Sequence, residues 1–387
     1  MFDFVDTINT FLYTYWLVFA LMLCGIYLTI RTRCIQLRFL KNVFGILQER
    51  SRKEHISPFG ALMISTASRV GIGNIIGVSI AIATGGVGAL FWMWLTAIIG
   101  GASAFVESTL AQVYKRKDGE HNYKGGPAYY IETALGSKAL SITFALSIIL
   151  CFSNIEKLPM IFSNVLQEAF DFTAIFGGFA SSAIVIGIKR GLFSNEAGMG
   201  SAPNAAAAAH TSHPAKQGMV QTLSVFIDTL IICSASAFMV LCADIEGMGE
   251  LKGMILMQTV MQNHFGTFGL FFVSVAIVLF AFTSLIGNYF YAEANFKFIT
   301  TNRAALQVFR FVSAFWVLVG AQLHLSLAWD LADLFMGLMA SVNIIAILLL
   351  SNIAIRVLRD YERQRKENQN PVFKASDVGI HNTEFWK

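Results

Sequence analysis

The stretch Ser65-Thr66-Ala67-Ser68-Arg69-Val70-Gly71-Ile72-Gly73-Asn74-Ile75-Ile76-Gly77 interrupts an otherwise apolar run from Gly60 to Thr84. That run is long enough to cross a bilayer as a helix, which takes about 20 residues. Two glycines flank one apolar residue and Asn74 follows, so the helix is weakest at membrane depth. Backbone unwound there frees amides and carbonyls that can hold an ion or a carboxylate. Close helix packing through small residues explains the same glycines without a site. Arg69 stands in the same stretch, and an ionisable residue inside a membrane is costly and usually functional.

The rest of the sequence supports a membrane setting. The 387 residues are 55% hydrophobic and 13% charged, with 34 phenylalanines and 6 prolines. A soluble domain carries about 25% charged residues. The mean hydropathy is +0.60. The net charge is only +4, so the total implies no polybasic face for a nucleic acid. Cys24, Cys34, Cys151, Cys233 and Cys242 form no Cys-x-x-Cys pair and read as small apolar filler. No metal or cofactor motif accompanies them.

Nine apolar segments predict nine helical spans: Phe11–Ile30, Gly60–Thr84, Gly88–Val113, Ala139–Phe152, Ala174–Ile188, Val220–Leu241, Phe268–Tyr291, Leu306–Leu323 and Leu331–Ile355. The fold class is all-α and polytopic, with residues 1–355 as one transmembrane domain. The polar stretch 356–387 reads as a solvated tail. Basic residues set the orientation. Seven lie between the first two spans and four follow the third, at Lys115, Arg116, Lys117 and Lys124. Lys189, Arg190 and Lys216 flank the link between the fifth and sixth, and Lys297 and Arg303 follow the seventh. This places the N-terminus outside and the C-terminus in the cytoplasm.

A second interrupted segment opens Phe176-Gly177-Gly178-Phe179 and closes Gly187-Ile188-Lys189-Arg190-Gly191-Leu192-Phe193-Ser194-Asn195-Glu196-Ala197-Gly198-Met199-Gly200. Paired interrupted helices in two halves point to an inverted-repeat transporter site. The Lys189–Gly200 stretch reads either as a buried salt-bridge gate on the cytoplasmic side or as a solvated helix cap. The alanine run Ala205–Ala209 favours helix and is expected to face the cytoplasm. Glu107 and Asp228 fall inside spans and read as ion-pairing or water-lining groups, with Arg69 the candidate partner. Thr283 and Ser284 offer hydroxyls to a small hard cation, or bond back to helix carbonyls. Enzyme readings find no support: no His lies within a span, and there is no His-Glu-x-x-His, P-loop or dinucleotide fingerprint.

At these residues the sequence resembles the alanine/glycine:cation symporter family, the sodium:alanine symporters. Four blocks carry the resemblance: Val70–Trp94 with Glu107 beyond it, Tyr123–Ile131, Gly187–Ala209 running on to Asp228-Thr229, and Phe280–Glu293 with Trp329–Asn343. The resemblance implies a leucine-transporter-type core of two inverted five-helix repeats after one extra N-terminal helix. It implies sodium-coupled symport of alanine or glycine by alternating access in a bacterial inner membrane. Substrate would be held by Thr66, Gly71, Gly73, Asn74, Gly177, Gly178, Phe179, Ser284 and Asn288. Sodium would be held by the carbonyls of Ala67 and Val70 and the hydroxyls of Thr283 and Ser284. Arg69, Glu107, Lys189, Arg190, Glu196 and Asp228 are the gate or ion-pair candidates. Beyond sodium, no cofactor is implied.

Two departures stand out. After Cys151-Phe152-Ser153 the family pattern runs on for two more helices, roughly 60 residues at about 20 per helix plus loops, whereas here Asn154-Ile155-Glu156-Lys157-Leu158-Pro159 follows directly. Two scaffold helices are therefore expected to be missing. Where the family carries Trp after the Thr/Ser pair, this chain has Asn288. An internally shortened member that binds without transporting is the alternative expectation.

Overall fold

The computed structural model describes residues 7–9, 11–38, 40–49, 55–71, 73–86, 88–119, 122–152, 183–243, 253–320, 325–367 and 369–386. Gly177, Gly178 and Phe179, and the junction at Ser153, lie outside the described residues. The described chain is helical apart from one two-stranded ribbon. The α-helices are α1 (Leu17–Arg31), α2 (Ile35–Arg38), α3 (Leu40–Leu47), α4 (Pro58–Arg69), α5 (Val78–Gly85) and α6 (Gly88–Val113). Strands β1 (Arg116–Asp118) and β2 (Asn122–Lys124) pair antiparallel, with Lys117 opposite Tyr123. Then follow α7 (Pro127–Leu135), α8 (Lys138–Phe152), α9 (Ala183–Asn195), α10 (Pro203–Ala208), α11 (Pro214–Phe226) and α12 (Ser234–Leu241). The last are α13 (Gly253–Ile299), α14 (Arg303–Gly320) and α15 (Leu325–Lys366).

Among the described residues, four helices are long and apolar enough to cross a membrane: Gly88–Val113, Pro214–Leu241, Ile255–Ile299 and Leu334–Lys366. The pair Pro58–Arg69 and Gly73–Ala83, bent by 66°, makes a fifth if taken as one span. That count covers the described residues alone, and the expected span Ala174–Ile188 lies largely outside them. The first apolar run is helical from Leu12 to Arg31, a π-helical segment (Leu12–Trp16) leading straight into the 15-residue α1, and α8 has 15 residues. Charged residues inside a continuous helix also matter: α15 does not stop at Ile355 but runs to Lys366. Within α13 the backbone breaks at Gly266 (φ 61°, ψ −149°), which separates two helices.

Helix α6 is the spine. From Ala97 to Val113 nearly every residue is buried, Glu107, Ser108, Thr109 and Gln112 included. Small residues let its neighbours approach closely. A Cβ on Gly187 of α9 would sit 2.4 Å from the Ala89 carbonyl, and one on Gly191 would sit 2.4 Å from Thr96 Oγ1. Further along, Gly198 faces Ser103 and Gln112 Nε2 donates to the Ala209 carbonyl. The α9–α10 segment therefore runs parallel to α6. Helix α11 returns antiparallel: Thr222 donates to the Gly101 carbonyl and Ser234 accepts from Trp94 Nε1.

That register corrects two expectations. Lys189 and Arg190, expected to flank the link between the fifth and sixth spans together with Lys216, do not lie at a helix end. They lie within α9, near the Gly88 end of α6, where the Lys189 ammonium stands 4.6 Å from the Tyr13 ring centre. Long basic side chains can lie along apolar surface while the head finds a polar or aromatic partner, so counting charges did not reveal this depth. The alanine run is buried throughout in α10 rather than facing solvent.

The tail is also packed, not solvated. Phe373, Ala375, Ile380 and Trp386 are buried. The Trp386 indole donates to the Gln112 carbonyl at 2.7 Å and the Phe373 amide to the Ser212 carbonyl at 2.9 Å. Four apolar anchors spaced through a polar stretch suffice to dock it on the end of α6.

Candidate functional site

The break between α4 and Gly73 has a definite cause. Ser57 caps α4 by accepting from the Gly60 amide, and the helical ladder proceeds until the Val70 amide reaches Thr66 O at 2.7 Å. The next amide, on Gly71, leaves the ladder for Asn74 Oδ1 at 2.9 Å. The Ala67 carbonyl thereby loses its i+4 donor. A π-helical turn, Gly73–Gly77, then starts the second arm. Asn74 ends the first arm and orients the second.

The other edge of Asn74 meets an acid. Its Nδ2 donates to Asp228 Oδ1 at 2.6 Å and to Ser194 Oγ at 3.1 Å. Ser194 and Thr229 hydroxyls donate to Asp228 Oδ2 at 2.6 and 3.0 Å. Asp228 sits in the π-helical segment Ile227–Cys233 that joins α11 to α12. Asn74 and Asp228 are fully buried. Three donors satisfy the carboxylate, as burial requires, so its direct partners are these and not Arg69.

On the opposite side, α13 presses against the break. A Cβ on Gly71 would lie 2.2 Å from Ser284 Oγ, so a larger residue there forces the Ser284 side chain to move. Ser284 Oγ is buried and has no hydrogen-bond partner, while Thr283 Oγ1 donates back to the Phe280 carbonyl at 3.1 Å. One turn on, Gly287 meets the Ser68 backbone. Asn288 accepts from Ser68 Oγ at 3.3 Å and donates to the Ser284 carbonyl at 2.9 Å. Thr66 shares a 3.1 Å hydrogen bond with Ser224 of α11. The fold thus gathers Thr66, Gly71, Asn74, Ser284 and Asn288 around one broken helix. Gly73 sits on the other face of the break, against the Phe193 ring.

Arg69 is 3% exposed. Its Nη1 makes long hydrogen bonds of 3.3 and 3.5 Å to Gln221, and its Nε and Nη2 have none. It lies within electrostatic range of Glu107, Glu196 and Asp228. None of the three makes a close ion pair with it among the described residues. One buried cation therefore faces two buried carboxylates and the part-buried Glu196 without committing to any.

Glu107 and Glu196 have other local partners. Glu107 accepts from the Gly198 amide at 3.3 Å and from Asn343 Nδ2 at 2.8 Å. Asn343 in turn accepts from Tyr130 Oη and donates to the Gly198 carbonyl. Glu196 has a positive φ of 52° and accepts from Ser201 Oγ at 2.5 Å. Ser194, Gln221 and Tyr130 were not singled out from sequence. Ser194 lies in a quoted motif, but its link to Asp228 spans 34 residues and carries no local signal.

The family model described as "Sodium:alanine symporter family" matches residues 1–153 and 146–375, in two pieces that meet where the chain departs from the family pattern. The amino-acid carrier protein AlsT of Bacillus subtilis is 40% identical over 451 aligned residues, covering 98% of this chain and 96% of that one. The probable sodium/glutamine symporter GlnT of the same organism is 39% identical, covering 99% and 95%. The sodium/alanine symporter AgcS of Methanococcus maripaludis is 31% identical, covering 94% and 97%. Each alignment is longer than this chain's 387 residues, so the relatives carry sequence without counterpart here. A family match over nearly the whole chain and relatives of this similarity lead to one conclusion: this chain belongs to the sodium:alanine symporter family, a family of membrane transporters.

Proposed function

We propose that the chain carries a small neutral amino acid, alanine or glycine, inward with sodium across the bacterial inner membrane. The observation that carries this reading is the break at Gly71 against Ser284. It sets a carbonyl released from the helical ladder (Ala67) and an unpartnered hydroxyl (Ser284) on neighbouring elements, in the same broken helix that holds Asn74. Sodium prefers hard oxygen ligands, and a buried hydroxyl without a partner is costly unless a ligand completes it. The carbonyl of Val70 and Thr283 Oγ1 would join them once Thr283 gives up its bond to Phe280. The substrate carboxylate would take the Gly71 amide, which Asn74 Oδ1 now occupies. Asn74, Thr66 and Asn288 would line its pocket, with Gly73, Gly177, Gly178 and Phe179 contributing from the two interrupted helices.

In this reading the scaffold is of the leucine-transporter type, and Arg69 closes the pathway by moving among Glu107, Glu196 and Asp228. The N-terminus lies outside and the C-terminus in the cytoplasm. The relatives named for sodium with alanine or glutamine support coupling to sodium and leave alanine, glycine and glutamine as the substrates to compare. Thermal unfolding of the purified chain tests the site. Alanine should raise the midpoint only when sodium is present, since a ligand stabilises the state it binds. Equal stabilisation in sodium and in choline contradicts sodium coupling.

A second reading is an internally shortened member; the family model matches this chain in two pieces that overlap at residues 146–153. A member lacking two scaffold helices binds the amino acid but lacks the wall against which the bundle rocks. Binding without uptake distinguishes it.

A further inference from the structure

Where α1 ends and α15 runs past Ile355, a cleft of about 440 Å3 opens. Arg31, Arg33 and Arg38 line one wall, and Arg359, Arg363 and Lys366 line the other. The acidic residues in the lining are Glu362 and Glu367. Three of the cations are engaged. Arg31 donates to Tyr27 Oη at 2.5 Å and Asn352 Oδ1 at 2.6 Å, Arg38 pairs with Glu362 at 2.7 Å, and Arg363 pairs with Asp360 at 2.5 Å. The side chains of Arg33, Arg359 and Lys366 make no hydrogen bond or ion pair among the described residues. With Glu362 committed to Arg38, the cleft keeps a surplus of positive charge.

The floor of the cleft is apolar, formed by the buried Ile355 and Leu358. In the turns of α1 that precede Arg31, Leu23, Ile26 and Ile30 are exposed. Cations thus line the cleft, and the helix that enters it carries exposed apolar residues in its preceding turns. None of these residues belongs to the site around Gly71.

We propose that this cleft binds the phosphate-bearing headgroup of an anionic phospholipid, whose acyl chain lies along Leu23, Ile26 and Ile30. Basic pockets between membrane helices favour anionic headgroups, and guanidinium groups match phosphate oxygens in geometry as well as charge. A free phosphate shares the headgroup chemistry but makes no use of these apolar residues. The lipid is the occupant that explains both features.

Native mass spectrometry of the full-length chain tests the proposal, with phosphatidylglycerol and phosphatidylcholine as probes. Retention of phosphatidylglycerol over phosphatidylcholine is expected. It should fall roughly fivefold for each cation removed in the series Arg33→Gln, Arg359→Gln and Lys366→Gln. Arg33→Lys should keep it, and the unchanged alanine-dependent thermal shift verifies that each variant is folded. Should the triple variant not fold, Arg33→Gln alone decides, because Arg33 lies in a turn outside the helices. Equal retention of the two lipids overturns the proposal, as does retention unaffected by the substitutions. Displacement of phosphatidylglycerol by millimolar inorganic phosphate overturns it in favour of a soluble-anion site.

Discussion

Asn74 and Asp228, 154 positions apart, meet through a 2.6 Å hydrogen bond in the fully buried centre of the protein. The contact ties the break in the first interrupted helix to the π-helical segment of the helix that packs across α6. A hydrogen bond to a charged acceptor contributes about 1.5–3 kcal/mol. Asp228→Asn keeps the shape and removes the charge. Amino-acid uptake is expected to fall roughly ten- to hundredfold, with expression and detergent-solubilised monodispersity retained. Uptake within a factor of about two of the unsubstituted chain contradicts a role for this contact.

Gly71→Ala places a methyl carbon 2.2 Å from Ser284 Oγ. Expected is a lower unfolding midpoint and loss of sodium-dependent stabilisation. Ser284→Ala removes the obstructing oxygen and leaves Ser284 Cβ at an ordinary 3.4 Å. The double variant should therefore recover the unfolding midpoint but not the response to sodium, which needs the hydroxyl. Recovery of both would remove Ser284 from the sodium site.

His213 gives a pH dependence whose sign follows from its environment. Its Nδ1 accepts from the Ala215 amide at 3.2 Å, capping α11, so the Nε2 side carries the proton toward Asp360 at 3.3 Å. The groups around it are Asp360, Lys216, Arg363 beyond Asp360, and the rings of Tyr361 and Phe373. Burial pushes the imidazolium pKa below the ordinary 6.5, with the Lys216 charge adding to the effect and Asp360 opposing it. Below that ordinary value the unfolded chain takes up a proton that the folded chain refuses. Stability is thus complete above about pH 6.5 and declines as pH falls through the window beneath it. A thermal-unfolding series between about pH 5 and 8 should show this decline, and His213→Gln should flatten it. A slope unchanged by the substitution rules the imidazole out.

The docked tail predicts a protease phenotype. Lys115 Nζ is buried, donates to the Ala209 carbonyl at 2.9 Å, and lies 4.3, 4.4 and 5.1 Å from the ring centres of Tyr123, Phe385 and Trp386. Trp386→Ala opens this box; truncating a fully buried aromatic costs about 3–5 kcal/mol. Faster cleavage between Gln369 and Trp386 is expected, with the rest of the chain unaffected. Unaltered cleavage means the indole does not hold the tail.

The broken helix was legible because Gly-x-Gly-Asn interrupts an apolar run, a local signal. So was the pressing of Ser284 and Asn288 toward it, through the family's motifs. The partner of Asp228 was not legible, since Arg69 offered the obvious charge while the actual donors, Asn74 and Ser194, are neutral and distant in sequence. Lys189 and Arg190 were expected to flank the link to the next span, whereas they lie within α9, because charge counts carry no register. The tail was read as solvated because four anchors are diluted among polar neighbours. Residue-by-residue hydropathy sees composition, whereas docking depends on where Phe373 and Trp386 arrive.

Uptake of radiolabelled alanine into proteoliposomes containing the purified chain tests sodium-coupled transport most directly. An inward sodium gradient should drive accumulation that collapses when choline replaces sodium and that Asn74→Ala abolishes without loss of protein from the membrane. Alanine accumulation no greater than in protein-free liposomes at every sodium gradient, from a chain that still binds alanine, contradicts transport and leaves the binding-only reading.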